Sequence, residues 1–211
     1  MAEIIPAINA ETFEEVARQV KLVEPFTGWI HIDVADGTFT PNTLWHNAED
    51  LLQLDSKLNI EVHLMISDID TRFPQWLLPS VKRIIFHLEA ARDPLFVLEK
   101  IKEAGKEAGL GILPETDWKK TEPFWGKVGS ILLLSVSPGF AGQGMSPDTI
   151  GKIKGLHDAY SHCIIEIDGG VNAENARILV EAGASRLASA SAIFGKEDIG
   201  KAIEELRNQL K

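Results

Sequence analysis

The chain has 211 residues, 45% apolar and 25% charged, proportions that suit a globular protein able to bury a sizeable core, with one domain the simplest count. Its formal net charge of -10, offset by no basic cluster, argues against a nucleic-acid backbone or an anionic membrane as the main partner. A single cysteine, Cys163, excludes an intrachain disulfide, and neither a signal peptide nor an apolar run of bilayer length is found, so a reducing, cytoplasmic setting is expected.

Taken in chain order, short β-rich runs alternate with amphipathic segments. Residues 4–8 read as the first strand, and 12–23 as a helix because Phe13, Val16, Ala17, Val20 and Val23 fall on one face. Strands are expected next over 29–34, 59–65 and 83–87, then a helix over 94–104 that Gly105 can end. Two more strands, 109–113 and 130–136, precede a helix over 147–160. A strand over 163–167 leads to a helix over 173–182, with Asn172 as its cap and Gly183 as its stop. The last strand, 186–189, is followed by a helix over 198–210. Eight strands alternating with helices in about 200 to 250 residues is the arithmetic of a (β/α)8 TIM barrel. An open doubly wound sheet is the alternative, since both place parallel strands between helices. In either fold ligands sit at the carboxyl ends of the strands.

That rule gives the polar residues their meaning. His31 and Asp33 are two apart on a strand and share a face. His63 and Asp168 stand at the ends of two other runs, and two imidazoles with two carboxylates are a ligand set for zinc, iron, manganese or cobalt. A lone histidine in a strand is more often a hydrogen-bonded core or surface residue; four ligating side chains at strand ends outweigh that reading. His87 and Glu89 end another strand and read either as partners standing behind the ligands or, slightly preferred, as the start of a solvated loop, while His46, His157 and His162 read as surface residues. Asp36-Gly37 reads as a turn in which the aspartate bonds its own backbone. Two glycine-rich stretches follow late strands: one containing Gly139, Gly142 and Gln143, the other Gly169 and Gly170. Such loops bring backbone N–H groups close to an anion, and Ala190 and Ser191 can add donors at the start of a short helix. Phosphate is therefore expected there, held mainly by backbone dipoles.

His31-Ile-Asp33-Val-Ala-Asp36-Gly37 with Pro41-Asn42, Val62-His63-Leu64-Met65, His87-Leu-Glu89-Ala90, Val136-Ser-Pro138-Gly139-Phe140-Ala-Gly142-Gln143, Asp168-Gly169-Gly170-Val171-Asn172 and Ser191-Ala192-Ile193-Phe194 form an ordered set over nearly the whole chain. Together they resemble the ribulose-phosphate 3-epimerase family. The resemblance implies a TIM barrel that interconverts D-ribulose 5-phosphate and D-xylulose 5-phosphate with one divalent metal ion. It assigns His31, Asp33, His63 and Asp168 to the metal, Asp33 and Asp168 to acid/base catalysis through an enediolate, and Met65 to the pocket beside it. The pattern departs from the family at Ala7, where a serine is usual, at Ala35 and Leu134, where methionines are usual, at Leu113 for asparagine, and at Ala190 for glycine.

Three rivals are weighed. A 3-epimerase of a six-carbon ketose phosphate such as allulose 6-phosphate would use the same machinery, and Ala7 and Ala35 are compatible with extra room. A barrel of the aldol or decarboxylase type looks for Asp-x-Lys-x-x-Asp, whereas this chain has His31-Ile-Asp33-Val-Ala-Asp36 without the lysine. A catalytically silent sugar-phosphate binder has no need of all four ligands. The expected partner is a small ketose phosphate. A homo-oligomer is left open, since Trp45, Trp76, Trp118 and Trp125 suit either core packing or contact rings.

Overall fold

Residues 2–138 and 144–210 are described by the structure, a computed structural model. Eight parallel strands, β1 (Glu3–Ile8), β2 (Trp29–Ala35), β3 (Asn59–Met65), β4 (Val81–His87), β5 (Glu107–Ile112), β6 (Ser130–Leu134), β7 (Ile165–Asp168) and β8 (Arg186–Ser189), pair in sequence order. Strand β8 then pairs with β1, matching Ile4 with Leu187 and Ile5 with Ala188. That last pairing closes the barrel and eliminates the open sheet. The helices are α1 (Phe13–Val23), α2 (Ile69–Arg72), α3 (Pro94–Glu103), α4 (Thr149–Ala159), α5 (Ala176–Ala182), α6 (Ser191–Phe194) and α7 (Ile199–Asn208).

Alternation along each strand sorts the core into two layers. Ile30, Ile32 and Val34 of β2 and Ile60, Val62 and Leu64 of β3 share one continuous apolar cluster with Val16 and Val20 of α1 and Leu206 of α7. This is the layer between strands and helices. Residues of the opposite parity, including His31, Asp33, Glu61 and His63, are left to fill the barrel interior. Ile85, Leu132, Leu134 and Val136 form a separate apolar cluster, with Leu113 packed against it.

Local chemistry fixes the ends of the elements. Thr12 caps α1, its hydroxyl accepting from Glu15 N at 3.3 Å, and Asp93 caps α3 by accepting from Phe96 N at 3.1 Å with Pro94 in the first turn. Helix α5 starts later than the sequence suggests. Asn172 Oδ1 accepts from Glu174 N at 2.9 Å and Asn175 N at 3.2 Å, capping a turn that precedes the helix. Gly183, with φ +120, ends it as expected. Strand β7 begins two residues beyond the expected start because Cys163 N donates to Tyr160 O at 3.0 Å and closes a turn. The short helices α2 and α6, and 3-10 turns such as Trp118–Phe124, are single or irregular turns with no apolar period to read.

Trp45 and Trp76 are core residues, packed edge to face at 5.6 Å. Trp118 and Trp125 are half-buried and stack with each other, and Trp125 stacks on Tyr160 at 4.9 Å. Among the described residues no helix is long and apolar enough to cross a membrane.

Candidate active site

The register of β2 against β3 sets Asp33 opposite His63, and closure of the barrel brings in Asp168 from the end of β7. Asp33 Oδ1 lies 3.2 Å from His31 Nε2 and 3.0 Å from His63 Nδ1. Asp168 Oδ2 lies 3.3 Å from His63 Nδ1 and 3.9 Å from His31 Nε2. One ligand atom from each of the four residues falls within 4.8 Å of all the others. Both imidazoles are fully buried, while Asp33 and Asp168 retain 5% and 8% exposure, so the cluster opens to solvent only through its carboxylates.

This is a field for positive charge. Burial alone would lower the His63 imidazole, yet its hydrogen bonds to Asp168 and Asp33 raise it to about 9. Against the burial that opposes it, His31 is likewise raised well above its ordinary value by Asp33, Glu166 and Glu61. Burial works against the charge of Asp33, but the two histidines override it and hold the carboxyl well below the usual range. Two imidazoles and two carboxylates with their donor atoms converging suit a divalent transition-metal ion.

Each histidine is also gripped from behind, His31 by residues that sequence reasoning does not place and His63 by one that it leaves between two readings. His31 Nδ1 faces Glu61 Oε1 at 2.6 Å and Glu166 Oε1 at 3.4 Å. Glu61 is ion-paired with Arg83, whose guanidinium lies 4.2 Å over the Trp29 ring. Against burial, His31 and then Arg83 hold the Glu61 carboxyl well below its ordinary value, whereas burial and the charge of Glu61 push Glu166 up to about 8. His63 Nε2 lies 2.9 Å from His87 Nε2. His87 is fully buried, with Glu89 Oε2 3.5 Å from its Nδ1, which decides for these two the reading as partners behind the cluster and corrects the preference for a solvated loop start. Glu89 in turn accepts from Leu113 N at 3.0 Å and from the Thr116 hydroxyl. A signal for the hidden charges is present in the sequence: Glu61, Arg83 and Glu166 stand at inward parity in strands whose outward face is mostly apolar.

Asn9, just beyond β1, carries no sequence signal of contact with the cluster. Its Nδ2 donates to Asp33 Oδ2 at 3.2 Å, placing a polar group near the strand end where Ala7 lacks a hydroxyl. Met65 packs with Ala35 and Leu44, and the half-buried Phe39 lies against them. Asp36 takes the turn role expected of it: its Oδ1 accepts from Thr38 N at 3.0 Å, and the side chain pairs with Arg72. His46, His157 and His162 are exposed, as expected.

Of the glycine-rich stretches, Gly139, Gly142 and Gln143 lie outside the described residues. Gly169 and Gly170 turn the chain away from β7 with φ +98 and +67. A Cβ on Gly169 would lie 2.5 Å from Val136 Cγ2, so only glycine fits. Ser135 pins the turn, its hydroxyl donating to Asp168 O at 2.8 Å and also meeting Gly169 O. Ala190 directly precedes α6, and Ser191, in its first turn, lines a surface cleft with Asn172, Ala173 and Lys196.

Comparison with known proteins agrees with this geometry. Residues 3–194 match the model of the ribulose-phosphate 3 epimerase family. Ribulose-phosphate 3-epimerase of Bacillus subtilis is 34% identical over 214 residues, covering 98% of this chain and 99% of that protein. The chain belongs to the ribulose-phosphate 3-epimerase family. A second member, from Chlamydia muridarum, is 38% identical over 192 residues, covering 88% of this chain and 83% of its own. This is a family of isomerases acting on a carbohydrate phosphate. The fold extends beyond the epimerase family: KGPDC from Streptococcus mutans superposes with a TM-score of 0.74, covering 99% of this chain and 97% of that one. At 9% identity that likeness speaks for the barrel alone.

Proposed function

We propose that this protein is a metal-dependent 3-epimerase interconverting D-ribulose 5-phosphate and D-xylulose 5-phosphate, with Asp33 and Asp168 as its two bases. The observation that carries the reading is the convergence of these carboxylates, from β2 and β7, on one pair of histidines.

Epimerisation beside a ketone removes a carbon-bound proton, leaves a planar enediolate and returns a proton to the other face. Two carboxylates on opposite sides of the reacting carbon do this without a redox cofactor, and their roles exchange with the direction of reaction. Asp33, held ionised by His31 and His63, carries no proton that must leave before it acts as a base, and Asn9 Nδ2 donates to its Oδ2. His31, Asp33, His63 and Asp168 would hold one divalent ion, zinc, iron, manganese or cobalt, which supplies Lewis acidity for the carbonyl and hydroxyl oxygens of the substrate. The phosphate is assigned to the backbone of Gly169 and Gly170 with Ala190 and Ser191, joined by Gly139, Gly142 and Gln143. Anchoring at that end places the reacting carbon between the bases.

The five-carbon substrate is favoured over a six-carbon one by the relatives, which are named for ribulose phosphate, and the packing at Ala35 offers no added room. The methyl group there is fully buried against Leu44 and Met65, so the missing methionine leaves no open space at that point. The test is proton NMR of ribulose 5-phosphate with metal-supplemented protein in heavy water. Deuterium entry at the third carbon together with xylulose 5-phosphate is the expected result. Exchange without product would remove one of the two bases, and no exchange would remove this substrate. Treatment with a chelator should abolish turnover and a divalent ion restore it; indifference to both would overturn the metal assignment.

A further inference from the structure

We infer that Glu61 is a positioning residue that presents the Nε2 lone pair of His31 to the metal-binding cluster, a role that rests on the metal-dependent reading above. The inference starts from an elementary restriction on imidazole. A neutral ring carries one proton, and the nitrogen that ligates must be the bare one. His31 points Nε2 at Asp33 and Asp168, so its proton belongs on Nδ1, and a buried N–H there must find an acceptor.

Two carboxylates face that nitrogen from inside the barrel, and geometry distinguishes them. Glu61 Oε1 is at hydrogen-bond distance, 2.6 Å, whereas Glu166 Oε1 stands off at 3.4 Å. Glu61 is also the one that cannot swing away. Its second oxygen is ion-paired with Arg83, and Arg83 is held in its turn by Glu107, 2.9 Å from its Nε, and by the Trp29 ring below it. Strand register builds this row: Glu61 of β3 stands beside Arg83 of β4, and Arg83 beside Glu107 of β5. Among the described residues the Glu166 oxygens have no hydrogen-bond partner, and Arg186 Nη1 is 3.9 Å from the far one. Glu61, His31, Arg83 and Glu166 are all at most 1% exposed, so water offers no substitute acceptor from the solvent side.

This row also explains why the second group of potential ligands, His31 with Glu61 and Glu166, is not read as a second metal site. Arg83 and Arg186 already supply the positive charge there. The row is a brace under the site above it. A carboxylate behind a ligating histidine fixes the ring and its proton, and loss of such a partner typically lowers metal affinity about 10- to 100-fold.

The experiment is a competition titration of zinc against a chromophoric chelator for the wild-type protein, Glu61→Gln and Glu166→Gln, with thermal unfolding of each metal-free protein. Glu61→Gln should bind zinc about 10-fold or more weakly, and Glu166→Gln within about threefold of wild type. Equal affinity of Glu61→Gln and wild type, or an equal loss in both variants, overturns the inference. A wild-type protein that takes up no zinc, iron, manganese or cobalt instead overturns the metal reading, which keeps the two failures apart. Should Glu61→Gln fail to fold, long-range proton–nitrogen spectra of the zinc-loaded wild type decide. Zinc on Nε2 with a proton on Nδ1 of His31 supports the role of Glu61, and zinc on Nδ1 refutes it.

Discussion

On the side formed by β2, β3 and β7 the barrel interior carries His31, Asp33, Glu61, His63, Glu166 and Asp168, whereas β5 and β6, beyond Glu107 and Ser130 at their starts, carry Gly109, Gly111, Leu132 and Leu134. The upper part of the second side is filled by packing: Gly109 makes room for Ile85, which a Cβ there would approach to 2.7 Å, and Gly111 makes room for the His87 ring, while Leu132 and Leu134 pack with Ile85 and Val136. The first side is demanding, because each charge taken from water needs a partner close enough to offset its desolvation. Glu61, Arg83, Glu107 and Arg186 meet that demand by pairing in a row. What the contrast teaches is that the polar half is arranged around the site, and the apolar half around packing.

Changing the bases should break this division most sharply. Asp33→Asn and Asp168→Asn should each lower epimerisation by about 10²- to 10⁴-fold, the range of a lost general base, in an assay coupled to xylulose 5-phosphate. Substantial turnover in either variant would leave that carboxylate without its assigned role. On the apolar side, Leu132→Ala should cost about 2–5 kcal/mol in urea unfolding and leave zinc affinity near wild type. A loss of affinity as large as the loss of stability would erase the distinction between the halves.

Acidity sharpens the comparison further. His63 is raised from 6.5 to about 9 in the folded, metal-free protein, so its contribution to stability is full below pH 6.5 and is lost as pH rises toward 9. Glu166, raised from 4.5 to about 8, acts in the same direction over the lower part of that range. Urea unfolding of metal-free protein should therefore show stability falling from pH 6.5 to 9. A flat profile would mean that the polar half does not hold these protons. The smallest effect belongs to Asn9→Ala, which removes one hydrogen bond to Asp33. A loss of about 0.5–1.5 kcal/mol in transition-state stabilisation is expected, a few-fold to about tenfold in kcat/KM, and an unchanged value would make Asn9 a bystander.

Much of this is legible in the sequence for definite reasons. The alternation of Ile30, His31, Ile32 and Asp33 announces a strand with one apolar and one polar face, and an interior receives whichever face the helices do not cover. The convergence of His31, Asp33, His63 and Asp168 follows once eight strands close. His87 stays between two readings because parity alone does not tell a strand end from a loop start; the ring is enclosed by His63 and Phe39, contacts made only when β4 pairs with β3 and the segment after β2 packs over it. Inward parity marks Glu61 and Arg83 as candidates for buried charges, but their pairing runs across β3 and β4 and leaves no local pattern. The one-turn helices α2 and α6 are too short to show a period.

The pairing of β8 with β1 has a consequence in time. Asp33 is carried by the second strand and Asp168 by the seventh, and the sheet between them becomes a ring only when the first and last strands meet. Contacts this distant along the chain form late, because the loop that must be closed is almost the whole molecule. A growing or refolding chain thus carries both histidines and one carboxylate before Asp168, the second carboxylate of the proposed site, arrives. Recovery of turnover after dilution from denaturant would consequently clock the sealing of that final seam.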